Sequence, residues 1–580
     1  MLGRGWLCAV ALATASLTAY AQDYRQRLPQ DEVIYFLLPD RFANGDPGND
    51  RGGLRGDRLR TGFDPADKAF YHGGDLKGVL HQLDYIQQLG VTAIWLAPVF
   101  KNKPVQGSPG HESAGYHGYW ITDFTRVDAH FGTEDDFRTL LSAAHERGLK
   151  VYMDIVVNHT ADVISYRECA NCPYHSRADY PYRTHLGLRG EPINVGFEGD
   201  DAAHQTADNF AKLTRADYAY TPFIPKGQEH LKVPDWLNDP IYYHNRGDST
   251  FAGESAEAGD FIGLDDLMTE NPRVVQGFID IYGAWIDRFR VDGFRIDTAK
   301  HVNPEFLQAF VPAMLARARA LDIVNFHIFG EVYAPTADVA LLARHTWSHG
   351  LPAVLDFGFA VALREAVAGN RGTDVMARVF ADDVLYKGGP DSALQLATFV
   401  SNHDQGRFAH FVRAARPGVG DEEVSQRVLL AHAMLLTLRG APVLYYGDEQ
   451  GFEGTGGDEN ARQDMFATRF ERQHPLYRAF AELVHLRHAV VALRRGRQIT
   501  RSASPAPGLF AVSRIDPASG REILIAFNTS TTPVSAQVQV DVSSQHFYSL
   551  HGQCSPEVTA PGSYSVTLAS LQYVICGARE

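Results

Sequence analysis

The sequence lacks the basic runs of proteins that bind nucleic acids and the long apolar runs of proteins that span membranes. Its 580 residues include 54 lysines and arginines against 69 aspartates and glutamates, which gives a net charge of −15 at pH 7. No run of basic residues occurs, so we expect neither a nucleic acid nor an anionic membrane surface as a partner. After the N-terminal segment, no apolar run is long enough to cross a bilayer. A neutral substrate fits this composition better.

The N-terminus has the features of a cleaved signal peptide. Arg4 precedes an apolar run over residues 6–20, and Ala19-Tyr20-Ala21 provides small residues at the positions that a signal peptidase requires. The residue directly after the predicted cleavage site is Gln22 and not a cysteine, which argues against a lipid anchor. We therefore predict a signal peptide at residues 1–21 and export to the periplasm or the medium.

Cysteine is scarce: the sequence has five, and four of them lie beyond the predicted signal peptide. Export implies an oxidising compartment, in which disulfides form. Cys169 and Cys172 are close in sequence, as are Cys554 and Cys576, and we expect two disulfides in that pairing. A Cys-x-x-Cys zinc site is the alternative for the first pair, although no second pair of ligands lies nearby.

The first predicted strand is not followed by a Gly-x-Gly-x-x-Gly turn, which argues against an open, doubly wound sheet. Short apolar runs alternate instead with helical patterns, and this alternation predicts a parallel sheet with right-handed crossovers. Eight such units over this length indicate a closed (β/α)₈ TIM barrel of the α/β class. The eight predicted strands are at residues 33–38, 93–97, 151–157, 294–296, 325–329, 354–357, 394–400 and 443–446.

Two regions break this rhythm. The interval after the third strand is rich in Pro, Gly, Tyr and Asp, and a loop of that length must be functional or form a small domain. Near the C-terminus the segments become short and β-rich, with turn residues between them. We predict a barrel at residues 22–158 and 266–490, an inserted irregular domain at 159–265 and a C-terminal β-sandwich at 491–580.

Acidic residues stand where several predicted barrel strands end. Arg295 and Asp297 are two residues apart in a strand, so their side chains point to the same side. An arginine this close favours an ionised carboxylate, as a nucleophile needs, although a structural ion pair would explain these two residues alone. Glu331 follows the fifth strand and Asp404 the seventh, so three acids converge on the carboxyl end of the barrel.

Three crowded carboxylates must have pKa values that are pushed apart, so that one is protonated while another is ionised. Retaining glycoside hydrolysis requires such a pair, a nucleophile and an acid/base about 5–5.5 Å apart.

These strand ends resemble the conserved segments of the α-amylase family of glycoside hydrolases (family 13), in the same order and with similar spacing. The resemblance covers roughly residues 33–548 and includes Tyr-His-Gly-Tyr-Trp at 116–120, Gly-Leu-Asp-Asp-Leu at 263–267 and Gly-Asp-Glu at 447–449. It implies that Asp297 is the nucleophile, Glu331 the acid/base and Asp404 the residue that grips sugar hydroxyls.

The resemblance also implies the residues that bind the α-glucan substrate. His117, Arg295 and His403 would bind the sugar at the cleavage subsite, and Tyr119 would stack on its ring. Lys300 and His301 would contact the leaving-group side. Taken alone, Lys300 is explained equally well as a solvated lysine at a helix start.

Hard oxygen ligands are dense just after the first strand, where Asn44, Asp46, Asn49 and Asp50 fall within seven residues. A turn would explain this composition, but Ca²⁺ also prefers such ligands. The segment resembles the calcium loop of cyclodextrin-acting and related bacterial members, which implies that Gly73 and Asp75 complete the shell. The resemblance further implies a second Ca²⁺ between barrel and inserted domain, held by Asn158, Asp266 and the carbonyl of His301.

The layout favours an exported, monomeric α-amylase that cuts internal α-1,4 bonds of starch or maltodextrins. Cyclodextrin glucanotransferases normally carry further β domains, and they place an aromatic residue where this chain has Ile262. Cyclomaltodextrinases and neopullulanases usually have a β domain ahead of the barrel. These activities on α-glucans stay as alternatives, and a catalytically silent glucan-binding protein is a further one.

Overall fold

The computed structural model describes residues 24–455 and 458–579, so the predicted signal peptide lies outside the described residues. The central sheet has eight parallel strands. Numbered along the chain, they lie side by side in the order 6-5-4-3-2-1-8-7, and a parallel bridge from Leu355 to Ala397 joins the two edges of the sheet. The predicted TIM barrel is therefore confirmed. The strands are β1 (Ile34–Leu37), β2 (Ala93–Leu96), β3 (Lys150–Ile155), β4 (Gly293–Ile296), β5 (His327–Gly330), β6 (Ala353–Val354), β7 (Ala397–Thr398) and β8 (Ala441–Tyr445).

Every residue of these strands is buried, as expected for a parallel sheet covered by helices on its outer face. The longer helices between and after them are Leu76–His81, Leu83–Gln88, Glu134–Glu146, Pro272–Phe289, Pro304–Ala320, Val339–Ser348, Phe357–Leu363, Asp374–Ala381, Gly389–Ala393, Phe408–Ala415, Asp421–Thr437, Pro475–Ala489 and Val491–Arg495. Single helical turns lie at Pro39–Phe42, Arg58–Thr61, Ala207–Phe210, Ser255–Ala258 and Asp458–Ala461.

The helix Pro272–Phe289 shows why these elements form where they do. The side chain of Asn271 caps its start by accepting a hydrogen bond from the Arg273 amide, and proline occupies the first helical position. Apolar side chains at helical spacing face the barrel, and the helix ends at Arg290 in a left-handed conformation. This helix delivers the chain directly into β4.

The register of the strands sets the level of the functional residues. In β4, Arg295 pairs with Asp154 of β3 on one side and with Phe329 of β5 on the other. Because the strands are parallel, the residues that follow β4 and β5 emerge at the same end of the barrel.

The segment inserted between β3 and β4 is irregular, as predicted, and has a small core of its own. Tyr182, Phe197, Phe210 and Tyr218 are buried in this core. Two short antiparallel pairs, His159–Thr160 with Asp265–Asp266 and Ser165–Tyr166 with Pro222–Phe223, hold its ends together. The Cys169–Cys172 disulfide lies within the segment, which replaces the alternative of a zinc site.

The C-terminal region is an all-β domain, as predicted. Its sheet has the order β9-β10-β11-β15-β13, and β12 pairs with β14 in a second layer. The Cys554–Cys576 disulfide ties the last strand to a preceding loop. Its strands are β9 (Arg497–Ser502), β10 (Leu509–Ile515), β11 (Glu522–Asn528), β12 (Val534–Gln539), β13 (Phe547–His551), β14 (Ser563–Leu568) and β15 (Tyr573–Ala578).

The residue boundaries that we give for the three regions stay predictions. Among the described residues, no helix combines the length and the apolar character needed to cross a membrane.

Candidate active site

One cavity of about 740 Å³ collects nearly all the side chains to which the sequence assigns a role in catalysis or substrate binding. Arg295 is the exception, since it lies beneath the cavity and contacts two of its acids from below. The predicted residues that line the cavity are His117, Tyr119, Asp297, Lys300, His301, Glu331, His403 and Asp404.

The guanidinium of Arg295 is the centre of the site. Its Nη1 donates to Asp154 Oδ1 at 2.8 Å and to Asp297 Oδ1 at 2.6 Å, while Nη2 lies 2.9 Å from Glu331 Oε2. The backbone amide of Thr298 donates to the same Glu331 oxygen at 3.0 Å. One cation thus faces three buried carboxylates, so the group holds a proton more readily than isolated acids would.

Burial raises the pKa of Glu331 to about 8; Arg295 opposes this rise, and Asp297 and Asp404 add to it. Burial also raises the pKa of Asp297 against the pull of Arg295, and it raises the pKa of Asp154 to about 7. The expectation that Arg295 simply keeps Asp297 ionised is therefore incomplete, because desolvation works against the arginine. With a pKa of about 8, Glu331 is mostly protonated at neutral pH.

Asp154 belongs to this cluster, although the sequence analysis gives it no role. Its Oδ2 accepts hydrogen bonds from Trp95 Nε1 and from the Tyr119 hydroxyl, both at 3.0 Å, and it is fully buried. The available signal was an aspartate within an otherwise apolar strand, since a carboxylate is almost never buried without partners.

One wall of the cavity consists of three aromatic rings. Tyr119 lies between His117 and His403, with ring centroids 5.6 and 5.5 Å away and planes inclined by about 20°. The Tyr119 hydroxyl is 2.7 Å from His403 Nε2. Burial, reinforced by nearby Arg462, lowers the pKa of both histidines well below the usual range. Both imidazoles are therefore neutral and can donate and accept hydrogen bonds.

Asp404 faces this group from a more open position, with 44% of its side chain exposed. Arg462 Nη2 lies 3.1 Å from Asp404 Oδ1, while its other nitrogens reach the His403 carbonyl and the Tyr116 hydroxyl. Arg462 was not found from the sequence, because it follows a helical turn far from any strand end and carries no local motif.

The inserted segment builds the opposite wall. His301 Nδ1 is 2.7 Å from the Ala256 carbonyl, and the ring of Phe261 packs edge-on against the His301 ring. Lys300 Nζ donates to the Tyr333 carbonyl at 3.1 Å. Ile262 is 77% exposed at the rim and has a φ of 53°, a left-handed conformation that β-branched residues rarely adopt.

Among the residues predicted for the first calcium site, Asp46 and Asn49 contact the side chain of Asp75. Asp75 accepts hydrogen bonds from the backbone amides of Gly45, Asp46 and Gly78 and from the side chain of Asn49. Asp46 itself is directed away, towards Lys77 Nζ at 2.6 Å.

The chemistry of this loop fits Ca²⁺. The Asn49 Oδ1 atom is buried and has no hydrogen-bond partner among the described residues, and a Cβ atom on Gly73 would lie 2.7 Å from Asp50 Oδ1. Burial and the nearby Asp75 raise the pKa of Asp50. A divalent cation at this point would stabilise the ionised form of both carboxylates. Asn44 Nδ2 also contacts Asp50 Oδ1, at 2.8 Å.

The residues predicted for the second calcium site fit less well. Asn158 Nδ2 is 3.3 Å from Asp266 Oδ1, but the other Asp266 oxygen is 2.6 Å from His244 Nδ1. His244 Nε2 in turn lies 2.9 Å from Glu270, so the ring must be an imidazolium. A cation from the chain itself therefore already faces the Asp266 carboxylate.

Comparison with known proteins agrees with this geometry. Residues 36–478 match the family model described as the α-amylase catalytic domain. The chain belongs to the α-amylase family. Within that family it is 44% identical to an α-amylase of Streptomyces lividans over 520 residues, which cover 86% of this chain and 55% of the relative. The chain therefore spans about half the length of that relative.

Solved structures of the α-amylase family have the same architecture. An Anoxybacillus α-amylase superposes with a TM-score of 0.71 at 28% identity, covering 96% of this chain and 99% of the other. A cyclomaltodextrin glucanotransferase with a three-domain ABC distribution superposes with a TM-score of 0.72 at 26% identity, covering 95% and 99%. A cyclomaltodextrin glucanotransferase can therefore have three domains, so the number of domains does not distinguish it from an α-amylase.

Proposed function

We propose that this protein is a retaining glycoside hydrolase that cleaves internal α-1,4-glucosidic bonds of starch and maltodextrins. The observation that supports this most directly is that one buried guanidinium, that of Arg295, contacts both Asp297 and Glu331 at a single cavity. A third acid, Asp404, faces the same space.

In the first step Glu331, protonated at neutral pH, donates its proton to the glycosidic oxygen as the bond from that oxygen to C1 breaks. An Asp297 oxygen forms a new bond to C1 from the opposite face, which gives a β-glycosyl ester. The contact with Arg295 favours the ionised form of Asp297 that this attack requires.

In the second step the Glu331 carboxylate takes a proton from water, and the water oxygen attacks C1. The ester bond breaks and Asp297 leaves as a carboxylate, so two inversions restore the α configuration. In this scheme the neutral His117 and His403 bind sugar hydroxyls together with Asp404, and Tyr119 provides the face on which the ring stacks. Lys300 and His301 contact the leaving-group side.

Reducing-sugar release from soluble starch tests the proposal. Asp297→Asn should abolish release, whereas Asp208→Asn, a matched change at an exposed aspartate of the inserted segment, should retain it. Proton NMR of the first product should show the α anomer. Release by the Asp297 variant at the wild-type rate, or a β product, would overturn the mechanism.

Cyclodextrin-forming or cyclodextrin-opening activity is the second candidate, favoured by the likeness to a three-domain glucanotransferase. Ile262 supports hydrolysis instead, because an aliphatic side chain at the rim offers no aromatic surface around which a glucan could wrap. A product time course on amylose, β-cyclodextrin and pullulan distinguishes them. Faster consumption of β-cyclodextrin than of amylose would replace the α-amylase assignment.

We further propose that one Ca²⁺ binds Asn44, Asn49, Asp50, Gly73 and Asp75, where it would neutralise the carboxylates and fix the loop after β1. We also propose that the protein is an exported monomer. The two disulfides support export, because disulfides persist in oxidising compartments. Elemental analysis should find one calcium per chain. Light scattering should find one chain per particle, and N-terminal sequencing of the exported protein should find a start at Gln22.

A further inference from the structure

A second cavity, larger than the first, lies between the barrel and the C-terminal domain. Its volume is about 970 Å³, within the range of sites that bind small molecules. The helix Pro475–Ala489 forms one side, and the ends of β13 and β15 form the other. None of the residues discussed above for catalysis or calcium lies in it.

A column of aromatic rings leads to this cavity from the core that the barrel shares with the C-terminal sheet. Phe527 is fully buried, Tyr573 is half-buried beside it with a centroid distance of 6.2 Å, and His551 is exposed. The rings of His551 and Tyr573 are stacked at 4.4 Å with an angle of 6° between their planes. One face of the His551 ring is thus covered by Tyr573, and the opposite face of His551 is available to a ligand.

The backbone is irregular at the point that positions His551. The pairing of β13 with β15 shifts register between Ser549 and His551, and such bulges redirect side chains. The following residue, Gly552, has a φ of 70°, and a Cβ atom there would lie 2.8 Å from the Val574 side chain. Both features hold the His551 ring against Tyr573.

The remaining lining combines aliphatic side chains, such as Leu486 and Leu550, with polar groups, and it contains neither lysine nor arginine among the described residues. Thr567, Gln553 and Gln426 are exposed and offer hydroxyl and amide groups. The Glu482 carboxylate is exposed beside His551 and makes no hydrogen bond to any other described residue. This mixture disfavours anionic ligands and favours a neutral ligand that has both apolar faces and hydroxyl groups, as a saccharide has.

We propose that this cavity is a second saccharide-binding site, which holds a segment of the α-glucan polymer by stacking on the His551–Tyr573 rings. Amide, hydroxyl and carboxylate groups around the rings bind the sugar hydroxyls. The site does no chemistry; it keeps a polymer chain on the enzyme while the catalytic cavity cleaves it. This inference rests on the proposed function, because the ligand is the same polymer.

The test is titration of maltoheptaose into the full-length Glu331→Gln enzyme, followed by calorimetry. We expect two binding sites. His551→Ala in that background should weaken one of them about tenfold, the size of an aromatic stacking contribution, and leave the other unchanged. His546→Ala, at an exposed histidine of the same domain outside the cavity, is the matched control.

Activity measurements with otherwise unmodified enzyme separate this site from the catalytic cavity. His551→Ala should lower the rate on granular starch while hydrolysis of a short chromogenic maltotrioside stays unchanged. Glu482→Ala, on an exposed helix surface, should act in the same direction and guards against misfolding of the first variant. A single binding site in both Glu331→Gln and Glu331→Gln/His551→Ala would overturn this proposal alone. Absence of maltotrioside hydrolysis by wild type would overturn the proposed function.

Discussion

Two acidic clusters of similar composition in this protein shift the pKa of their glutamates in opposite directions. The strand-end cluster consists of Asp154, Asp297 and Glu331 around Arg295, and it opens to the cavity that we propose as the catalytic site. The junction cluster consists of Asp200, Asp266 and Glu270 with the cations His244 and Arg177, and it joins the inserted segment to the helix Pro272–Phe289.

The number of cations decides what each glutamate can do. In the junction cluster, burial would raise the pKa of Glu270, but His244 and Arg177 lower it to about 2. In the strand-end cluster a single arginine leaves the pKa of Glu331 at about 8. One glutamate is a permanent anion that holds structure together, whereas the other exchanges a proton near neutral pH.

The largest expected effect comes from exchanging the same residue type in both clusters. Glu331→Gln should reduce kcat on soluble starch by about 10³–10⁴-fold, because the general acid is lost. Glu270→Gln should leave kcat within a few-fold and lower the melting temperature instead. A comparable loss of kcat in the two variants would remove the distinction between the clusters.

His244→Gln should be the most destabilising change in the junction cluster. It leaves the buried carboxylates of Asp266 and Glu270 without their shared cation, at a cost of about 3–5 kcal/mol. Chemical denaturation followed by fluorescence measures this. His230→Gln, at an exposed histidine of the same segment, should have no measurable effect. Equal stability of the two variants would mean that the cluster contributes nothing.

The pH dependence of kcat/KM should report the strand-end cluster alone. Glu331 must be protonated to act as acid, and it loses its proton as pH rises through about 8, so the rate should fall about tenfold per pH unit above that value. Asp297 must be ionised, and its raised pKa should place the acidic limb above the range of an ordinary aspartate. A rate that is constant up to pH 10 would contradict this assignment of the acid.

The smallest effect should come from the outer cation of the junction cluster. Arg177 is partly exposed, so Arg177→Gln should cost only about 1 kcal/mol, since solvent screens its ion pairs with Asp200 and Glu270. The same denaturation assay, repeated at high salt, should show the difference from wild type shrinking. A loss as large as that of His244→Gln would show that the two cations are equivalent.

The barrel could be predicted because its strands are short apolar runs, each buried on both faces. The proposed catalytic acids could be predicted because they follow strand ends. Asp297, Glu331 and Asp404 stand at such positions, and local sequence identifies them. Arg462 and His244 do not. Each is positioned by contacts between segments that are distant along the chain, in regions whose sequence shows no regular period.

The proposed catalytic acid accepts a hydrogen bond from the backbone, in addition to its contact with the Arg295 side chain. Glu331 is held by the main-chain amide of residue 298, which sits in a left-handed conformation with a φ of 46°. A side chain neither provides nor withdraws that amide, so replacing the Thr298 side chain leaves this donor to Glu331 in place, and glycine would adopt the positive φ without strain. Proline is the one residue that this position excludes on both counts, because it has no amide hydrogen and cannot adopt a positive φ.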